Sequence, residues 1–352
     1  MEEQKDLLGM LDLMTQPGFC VKENTVTAVN TAAKGLFLAP GMGVQPLLLT
    51  GREEYAAFSG GCLYLTLKLS GQSRGAVVTR VENTDVFLLD QDHEQKELRS
   101  LALAAMELRK PIHSVMTTAD TMAAMEQSPE MAEQMARLNR GLYRLLRIIG
   151  NMSDAGRSNM SRQETRNIGS LLAEIFSKAA GLAEAAGFTL RYEGLAETVY
   201  CLADADQLER AVLNILSNSI KFTPVGGTID ASLTRQGRML RLSIRDTGSG
   251  IADGILGNVF TRYLRQPAIE DDRFGLGLGM VLVRSAATAH GGTVLIDQPE
   301  GTGTRVTMTL AIRQNTENLL RSPVLRVDYA GERDHGLLEL SDRLPVHLYK
   351  EI

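Results

Sequence analysis

The clearest hydrophobic pattern lies between residues 91 and 153, where apolar residues recur alternately every three and every four positions. Such spacing places its members along one stripe of a helix. Ser128-Pro129 interrupts the repeat, and a proline suits the first turn of a new helix. We therefore predict two long helices in an antiparallel hairpin. The two stripes comprise Leu98, Leu101, Ala105, Leu108, Ile112, Val115, Ala119 and Met122, and then Met131, Met135, Leu138, Leu142, Leu145, Ile149 and Met152.

A single hairpin of this kind leaves a wide apolar stripe exposed to water. Pairing two hairpins into a four-helix bundle is the natural way to bury the stripe. The pattern therefore predicts a homodimer that assembles through residues 91–153.

The first 90 residues alternate short apolar segments with turn residues, which is typical of a small mixed domain. Residues 18–30 predict two short strands around a Lys-Glu-Asn turn, followed by a helical segment from Thr31. Residues 62–69 and 76–81 alternate with the period of strands, and Ser70 to Ser73 separates them. This order weakly resembles a PAS sensory domain. An unrelated small α+β module is the alternative.

A polar, helix-poor stretch at 154–162 predicts a hinge before a new domain. Helices are expected at 168–186, 204–222 and 279–290, and strands near 187–192, 199–202, 227–233 and 239–245, which together indicate an α/β sandwich. Beyond the sandwich, we predict a strand near Leu325 and a short helix at 336–344. The segment 314–352 is then either a flap packed on its own domain or a partner-binding tail. The whole is an α+β multidomain chain divided at 1–90, 91–153, 160–313 and 314–352.

Composition excludes some classes of protein. The 352 residues carry a net charge of −5, which gives no global attraction for nucleic acid. No apolar run approaches the roughly 18 residues of a membrane helix, and the acidic start Met1-Glu2-Glu3 is unlike a signal peptide. We expect a cytoplasmic protein without a membrane span. Its three widely spaced cysteines, Cys20, Cys62 and Cys201, predict buried, reduced thiols.

Candidate chemistry lies in four short blocks that follow one another in the sandwich. In the first, Asn214, Asn218 and Lys221 stand at i, i+4 and i+7 on one helix and therefore project from one face. Amide oxygens can complete the ligand shell of Mg²⁺ beside phosphates without adding negative charge. Taken alone, such asparagines are more often solvated surface residues.

The other three blocks are loops. Asp246 follows a strand and precedes Gly248 and Gly250. Its carboxylate could accept a hydrogen bond from an exocyclic amine, while the glycines would let a flat base approach the backbone. The third block, Gly275, Gly277 and Gly279, precedes an apolar helix whose N-terminus would offer free N–H groups to phosphate. In the fourth, a turn that contains Thr304 enters an alternating strand. Each block alone is a common loop pattern.

Jointly, the blocks resemble the GHKL ATPases, and specifically the N, glycine and F boxes of sensor histidine kinases. The resemblance implies ATP and Mg²⁺ as cofactors, with Asn218 on the metal and Asp246 on the adenine amine. Residues 251–274 would form a lid that includes Val259-Phe260, and Thr304 would support the adenine. His290 would be structural. The full implied contact set is Asn214, Asn218, Lys221, Asp246, Gly248, Gly250, Gly275, Gly277, Gly279 and Thr304.

Two parts of the chain bear on the reaction, namely Asn214 and the hairpin segment around Met106. In the hydrolysing relatives a glutamate activates water where this chain has Asn214, and a neutral amide cannot accept that proton. The hairpin segment from Ala105 to Ile112 resembles the phosphoacceptor box of the kinases, yet Met106 stands where the histidine would be. Glu107 occupies the position of the acid/base residue, and Lys110 replaces the residue linked to phosphatase activity. The candidate catalytic residues are Glu107 and, as a displaced acceptor one heptad away, His113.

Two functions follow from the resemblance. The first is a two-component sensor kinase that transfers phosphoryl groups. The second is a relative without a phosphoacceptor, which acts as an ATP-dependent switch or scaffold for a partner kinase or a response regulator. The two diverge at Met106.

Overall fold

The structure is a computed structural model that describes residues 9, 11–125, 128–156, 163–251, 259–260, 277–299, 302–314 and 333–350. The elements of the N-terminal module are β1 Gly18–Lys22, β2 Thr25–Val29, α1 Arg52–Ala56, β3 Cys62–Leu69, β4 Gln72–Val81 and β5 Thr84–Leu89. Its strands pair antiparallel in the order β2-β1-β5-β4-β3.

Two details of this module differ from the prediction. The segment Thr31–Leu36 is a 3-10 helix, capped by the Asn30 side chain, and not an α-helix. The turn between β3 and β4 is shorter than predicted, because Gln72 and Ser73 already pair with β3. The predicted turn between β1 and β2 is confirmed at Glu23 and Asn24, whose φ angles of 50° and 63° are left-handed.

The predicted hairpin helices are confirmed as α2 Asp92–Ala123 and α3 Pro129–Ala155. The Ser128 side chain accepts a hydrogen bond from the Met131 amide and caps α3, while α2 continues through Pro111. The stripes are only half buried within one chain. Members seven residues apart remain 43–50% exposed: Leu108, Val115 and Met122 on α2, and Met131, Leu138 and Leu145 on α3.

The hinge prediction was wrong at its start. Residue Asp154 belongs to the last turn of α3 and forms an ion pair with Arg210, because the helix continues to Ala155 and packs on the following domain. Residues 157–162 lie outside the described part of the chain.

The predicted α/β sandwich is confirmed. Its helices are α4 Ile168–Ala185, α5 Ala205–Phe222 and α6 Gly279–Ala289, and its strands are β6 Glu164–Asn167, β7 Thr189–Glu193, β8 Tyr200–Ala203, β9 Thr228–Gln236, β10 Met239–Asp246, β11 Val294–Asp297 and β12 Arg305–Ala311. Strands β6 and β8 form a separate pair. Along β10, Leu240, Leu242 and Ile244 alternate inward and join the core beneath the helices, as the period of two requires.

The N-terminal module is not a separate sheet, in contrast to the predicted arrangement. Strand β3 pairs antiparallel with β11, and the order β2-β1-β5-β4-β3-β11-β12-β10-β9-β7 is one continuous sheet of ten strands. On β3, Leu63, Leu65 and Leu67 face the core of the N-terminal module, whereas Cys62 and Tyr64 belong to the core of the sandwich.

The C-terminal segment 333–350 contains α7 His335–Glu339 and a 3-10 turn Val346–Tyr349. It packs against α3 of the hairpin as well as α5 of the sandwich, so it is more than a flap on its own domain. The strand predicted near Leu325 lies outside the described residues. Within the described ranges, every helix is too short or too polar to cross a membrane.

Candidate functional site

The carboxylate of Asp246 is the best-defined group at the predicted site. It ends β10, is 5% exposed, and its Oδ1 accepts hydrogen bonds from the amides of Gly248 at 2.9 Å and Thr304 at 3.0 Å. Burial raises the pKa of Asp246, while these two amides and the Ser219 hydroxyl oppose the rise. The carboxylate is therefore held in one orientation by groups from three different segments.

Two glycines make room for this carboxylate. A Cβ at Gly248 would lie 2.7 Å from the Phe222 carbonyl oxygen and 2.9 Å from Asp246 Oδ1. Gly303 has a φ of 94°, and a Cβ there would collide with the Asp246 carbonyl oxygen. Both loops therefore need glycine because other parts of the chain approach them closely, while the predicted approach of a flat base to Gly248 stays a prediction. Gly250 is also left-handed, at φ 74°.

The asparagines of α5 differ in burial. Asn214 is 1% exposed, and its Nδ2 donates to the Arg210 carbonyl oxygen at 2.9 Å. Its Oδ1 is buried without a hydrogen-bond partner among the described residues. One turn later Asn218 is half-buried, and Lys221 is half-buried with its ammonium group 5.5 Å from the Phe222 ring centroid.

The glycine block brings a helix N-terminus to Asn214. Helix α6 begins at Gly279 without a side-chain cap, so its first amides are available. A Cβ on Gly279 would lie 2.8 Å from Asn214 Oδ1. The structure thus brings Asn214 and Gly279 together. Gly277 has a φ of 70°, whereas Gly275 and most of the predicted lid, residues 252–258 and 261–274, lie outside the described part.

Comparisons with known proteins agree with this geometry. Residues 203–314 match the family described as Histidine kinase-, DNA gyrase B-, and HSP90-like ATPase. They include Asn214, Asp246, Gly279 and Thr304. Residues 203–314 are therefore similar to an ATPase domain of this family, and we call the α/β sandwich that contains them the ATPase domain.

Histidine kinases are among the curated proteins that are similar to a larger part of the chain. Sensor histidine kinase RppB of Synechocystis is 27% identical over 62% of this chain and 50% of its own length. Histidine protein kinase DivJ of Caulobacter vibrioides is 31% identical over 61% of this chain and 37% of its own length. The chain therefore spans about half or less of the relatives that it matches.

A solved structure shares the fold. Full-length ShkA, whose structure was determined in complex with AMPPNP, aligns with a TM-score of 0.51 and 21% identity. The alignment covers 62% of this chain and 47% of ShkA. This alignment supports the fold of the helical region and the ATPase domain, and nothing beyond the fold.

His290 lies at the end of α6 in the ATPase domain. Its Nε2 accepts from the Asp204 amide at 3.0 Å, and its Nδ1 lies 2.7 Å from the Ala286 carbonyl oxygen, which requires Nδ1 to donate. Burial lowers the pKa of His290. The neutral ring thus joins α6 to the start of α5, which suits the structural role expected from the resemblance.

The candidate catalytic residues of the hairpin lie on its surface. Met106 is 60% exposed, and Glu107 and His113 are exposed on the same helix, α2. Their roles remain predictions.

Sequence reasoning missed two contributors to the site. Ser219 is buried on α5 beside Asp246, and nothing in its helical context distinguishes it from an ordinary polar residue. Gln298 follows β11, and its Nε2 donates to the Ile251 carbonyl oxygen at 2.5 Å. A Cβ on Gly250 would meet that same Nε2 at 2.7 Å. Only the tertiary structure reveals either contact.

Proposed function

We propose that the ATPase domain binds Mg-ATP and that Asp246 recognises the adenine amine. The observation that carries this proposal is the buried carboxylate of Asp246, which two backbone amides hold in one orientation. A carboxylate accepts hydrogen bonds without donating any when ionised, so it favours an exocyclic amine over a carbonyl oxygen. Adenine presents that amine, whereas guanine presents a carbonyl at the equivalent ring position.

The opposite side of the proposed site, at Asn214 and the start of α6, has side chains and amides suited to the phosphates and the metal of Mg-ATP. The Oδ1 of Asn214, which has no hydrogen-bond partner within the described part of the chain, faces the start of α6, where amides without a side-chain cap favour anions. Asn218 lies one turn further along α5 and would supply an oxygen to Mg²⁺, and Lys221 would add positive charge near the phosphates. Gly275, Gly277 and Gly279 would let the chain approach the triphosphate.

Calorimetric titration of the full chain with ATP in the presence of Mg²⁺ tests the site. Asp246→Asn replaces an acceptor by an amide that also donates, and a lost hydrogen bond to a charged group is worth about 1.5–3 kcal/mol, or roughly 10- to 150-fold in Kd. Asp230→Asn is the matched control, because Asp230 is an exposed residue of the adjacent strand β9. Equal affinities in the two variants would defeat the assignment.

The chain's role beyond nucleotide binding follows from its histidine-kinase relatives. We propose a signal-transduction protein of two-component type, with a PAS-like input module at 1–90 and a response regulator or a partner kinase as its protein partner. We place it in the cytoplasm and expect no binding to nucleic acid. The neutral Asn214, buried where hydrolysing relatives have a glutamate, favours phosphoryl transfer or nucleotide switching over rapid hydrolysis.

The exposed thioether at Met106 favours the second candidate, a switch or scaffold that is not itself phosphorylated. A thioether cannot accept the phosphoryl group as an imidazole nitrogen does. Incubation with γ-labelled ATP and Mg²⁺ decides between the two. We expect no acid-labile, base-stable label in the wild type, and label in Met106→His. Label in the wild type that His113→Ala removes would instead support the sensor kinase with a displaced acceptor.

We also propose that the chain forms a homodimer through the hairpin. Six exposed apolar residues at heptad spacing on α2 and α3 form matched stripes, and a second copy would cover both in a four-helix bundle. Light scattering should give twice the mass of the chain. Leu138→Glu with Leu145→Glu should shift the mass to that of the monomer, whereas Val225→Glu, at a 79% exposed site in the ATPase domain, should not. A wild-type monomer at micromolar concentration would contradict the proposal.

A further inference from the structure

The joint between the N-terminal module and the ATPase domain is closely packed. Strands β3 and β11 pair from Cys62–Ile296 to Tyr64–Val294. A Cβ on Gly61, whose φ is 90°, would lie 2.4 Å from the Ile296 carbonyl oxygen, and a Cβ on Gly51 would lie 2.6 Å from Thr293 Cγ2. The two backbones approach more closely than most side chains would permit.

One carboxylate connects three segments at this joint. Tyr64 of β3 donates from its hydroxyl to Asp90 Oδ2 at 2.7 Å, and Arg284 of α6 donates from Nη1 to Asp90 Oδ1 at 3.0 Å. Asp90 lies between β5 and α2, so the ion pair links the N-terminal module, the start of the hairpin and α6. Gly75 leaves the necessary space, because a Cβ there would collide with both Tyr64 and Asp90.

The ring of Tyr64 extends this link towards the nucleotide site. The Arg284 guanidinium lies 5.4 Å from the Tyr64 ring centroid. On the ATPase side, the ring of the fully buried Phe260 lies 5.6 Å from that of Tyr64, centroid to centroid. Phe260 belongs to the predicted lid. Arg284 follows Gly279 by five residues, which is about 7.5 Å along the helix axis. The joint therefore contacts both the lid segment and the phosphate-binding helix.

We propose that Tyr64 and Arg284 are positioning residues through which the docked N-terminal module strengthens binding of Mg-ATP. This inference rests on the proposed function of the ATPase domain. Arg284 anchors α6, whose N-terminus lies beside Asn214, and Tyr64 packs against Phe260. Without these contacts, nucleotide binding must itself fix α6 and Phe260, which lowers affinity. By reciprocity, Mg-ATP must tighten the docking of the module by the same factor.

Calorimetry on the full chain measures this coupling. Tyr64→Phe removes only the hydroxyl, and Arg284→Gln removes the charge. Each should raise the Kd of Mg-ATP about fivefold or more, the lower end of typical coupling between sites. Arg284→Lys retains the charge and should recover part of the affinity.

The chain contains a matched control for the tyrosine. Tyr55 donates its hydroxyl to Asp85 Oδ2 at 2.8 Å, and Arg80 pairs with the same carboxylate, but all three lie within the N-terminal module. Tyr55→Phe removes an equivalent hydrogen bond and should leave the Kd of Mg-ATP unchanged.

Hydrogen exchange gives a readout that a purely structural role would not produce. In the wild type, Mg-ATP should slow exchange of the β3 and β11 amides, and in Arg284→Gln this protection should be reduced. One combination of results would overturn this inference alone. The wild type would bind Mg-ATP and Asp246→Asn would weaken that binding, but Tyr64→Phe and Arg284→Gln would bind Mg-ATP as tightly as Tyr55→Phe does. Absence of Mg-ATP binding in the wild type would overturn the proposed function as well.

Discussion

The C-terminal segment offers a sharp test of what holds the hairpin to the ATPase domain. The carboxylate of Glu339 on α7 is completely buried. It lies 3.2 Å from Arg147 Nε of the hairpin helix α3 and 3.6 Å from Arg210 Nε of α5. One anion from the C-terminal segment therefore joins cations from two domains.

The expected cost of Glu339→Gln follows from these contacts. Breaking a buried ion pair by removing one partner typically destabilises by about 3–5 kcal/mol. Here each arginine keeps another carboxylate, Asp342 for Arg147 and Asp154 for Arg210, which lowers the penalty. We therefore expect a loss of about 2–4 kcal/mol in the free energy of unfolding.

Urea denaturation followed by circular dichroism measures this loss, since the chain contains no tryptophan for fluorescence. Glu133→Gln is the control, because its pair with Arg137 is 2.7 Å long but both side chains are more than half exposed. An exposed i,i+4 pair contributes about 0.3–0.5 kcal/mol. If the two variants unfold at the same urea concentration, the reasoning about the buried network is refuted.

Three further predictions concern stability. Folding lowers the pKa of His290, so the stability that its neutral ring contributes is complete above the ordinary pKa of about 6.5 and is lost as the pH falls towards the folded pKa. The difference between the melting temperatures at pH 7.5 and pH 5 should therefore be smaller in His290→Asn than in the wild type. Gly303→Ala should destabilise more than Gly226→Ala, since both have left-handed φ but only the first Cβ meets another atom within 4 Å; equal melting temperatures would contradict this. Ser128→Ala should cost about 1 kcal/mol through loss of the α3 cap, measured by urea denaturation.

Local patterns were sufficient to predict the helices, and they nominated the candidate site. The 3-4 repeats identify α2 and α3 because a helical stripe depends only on neighbouring residues. The glycines beside Asp246 suggested that a flat base could approach, which stays a prediction. The order of the four blocks carried the resemblance from which ATP and Mg²⁺ were expected.

Contacts between distant segments could not be predicted in this way. Strand β11 has four residues, and its pairing with β3 joins positions more than two hundred residues apart. The same holds for Glu339, whose burial depends on arginines that look like ordinary charged surface positions in sequence. The hinge prediction failed at Asp154 for the same reason, because its ion pair with Arg210 extends α3 onto the ATPase domain.

The packing of α6 on the hairpin also ranks the two candidate acceptor positions. Leu278 and Val281, at the N-terminal end of α6 where we propose that phosphate binds, share an apolar cluster with Leu98 of α2. Along the α2 axis, position 106 lies about 12 Å from Leu98, and His113 lies about 22 Å away. Because phosphoryl transfer requires the acceptor within a few ångströms of the phosphate, His113 would require a much larger displacement of the ATPase domain than a histidine at position 106.

The double variant Met106→His with His113→Ala should therefore be labelled as strongly as Met106→His alone. Loss of label in the double variant would contradict this ranking, because labelling would then depend on His113.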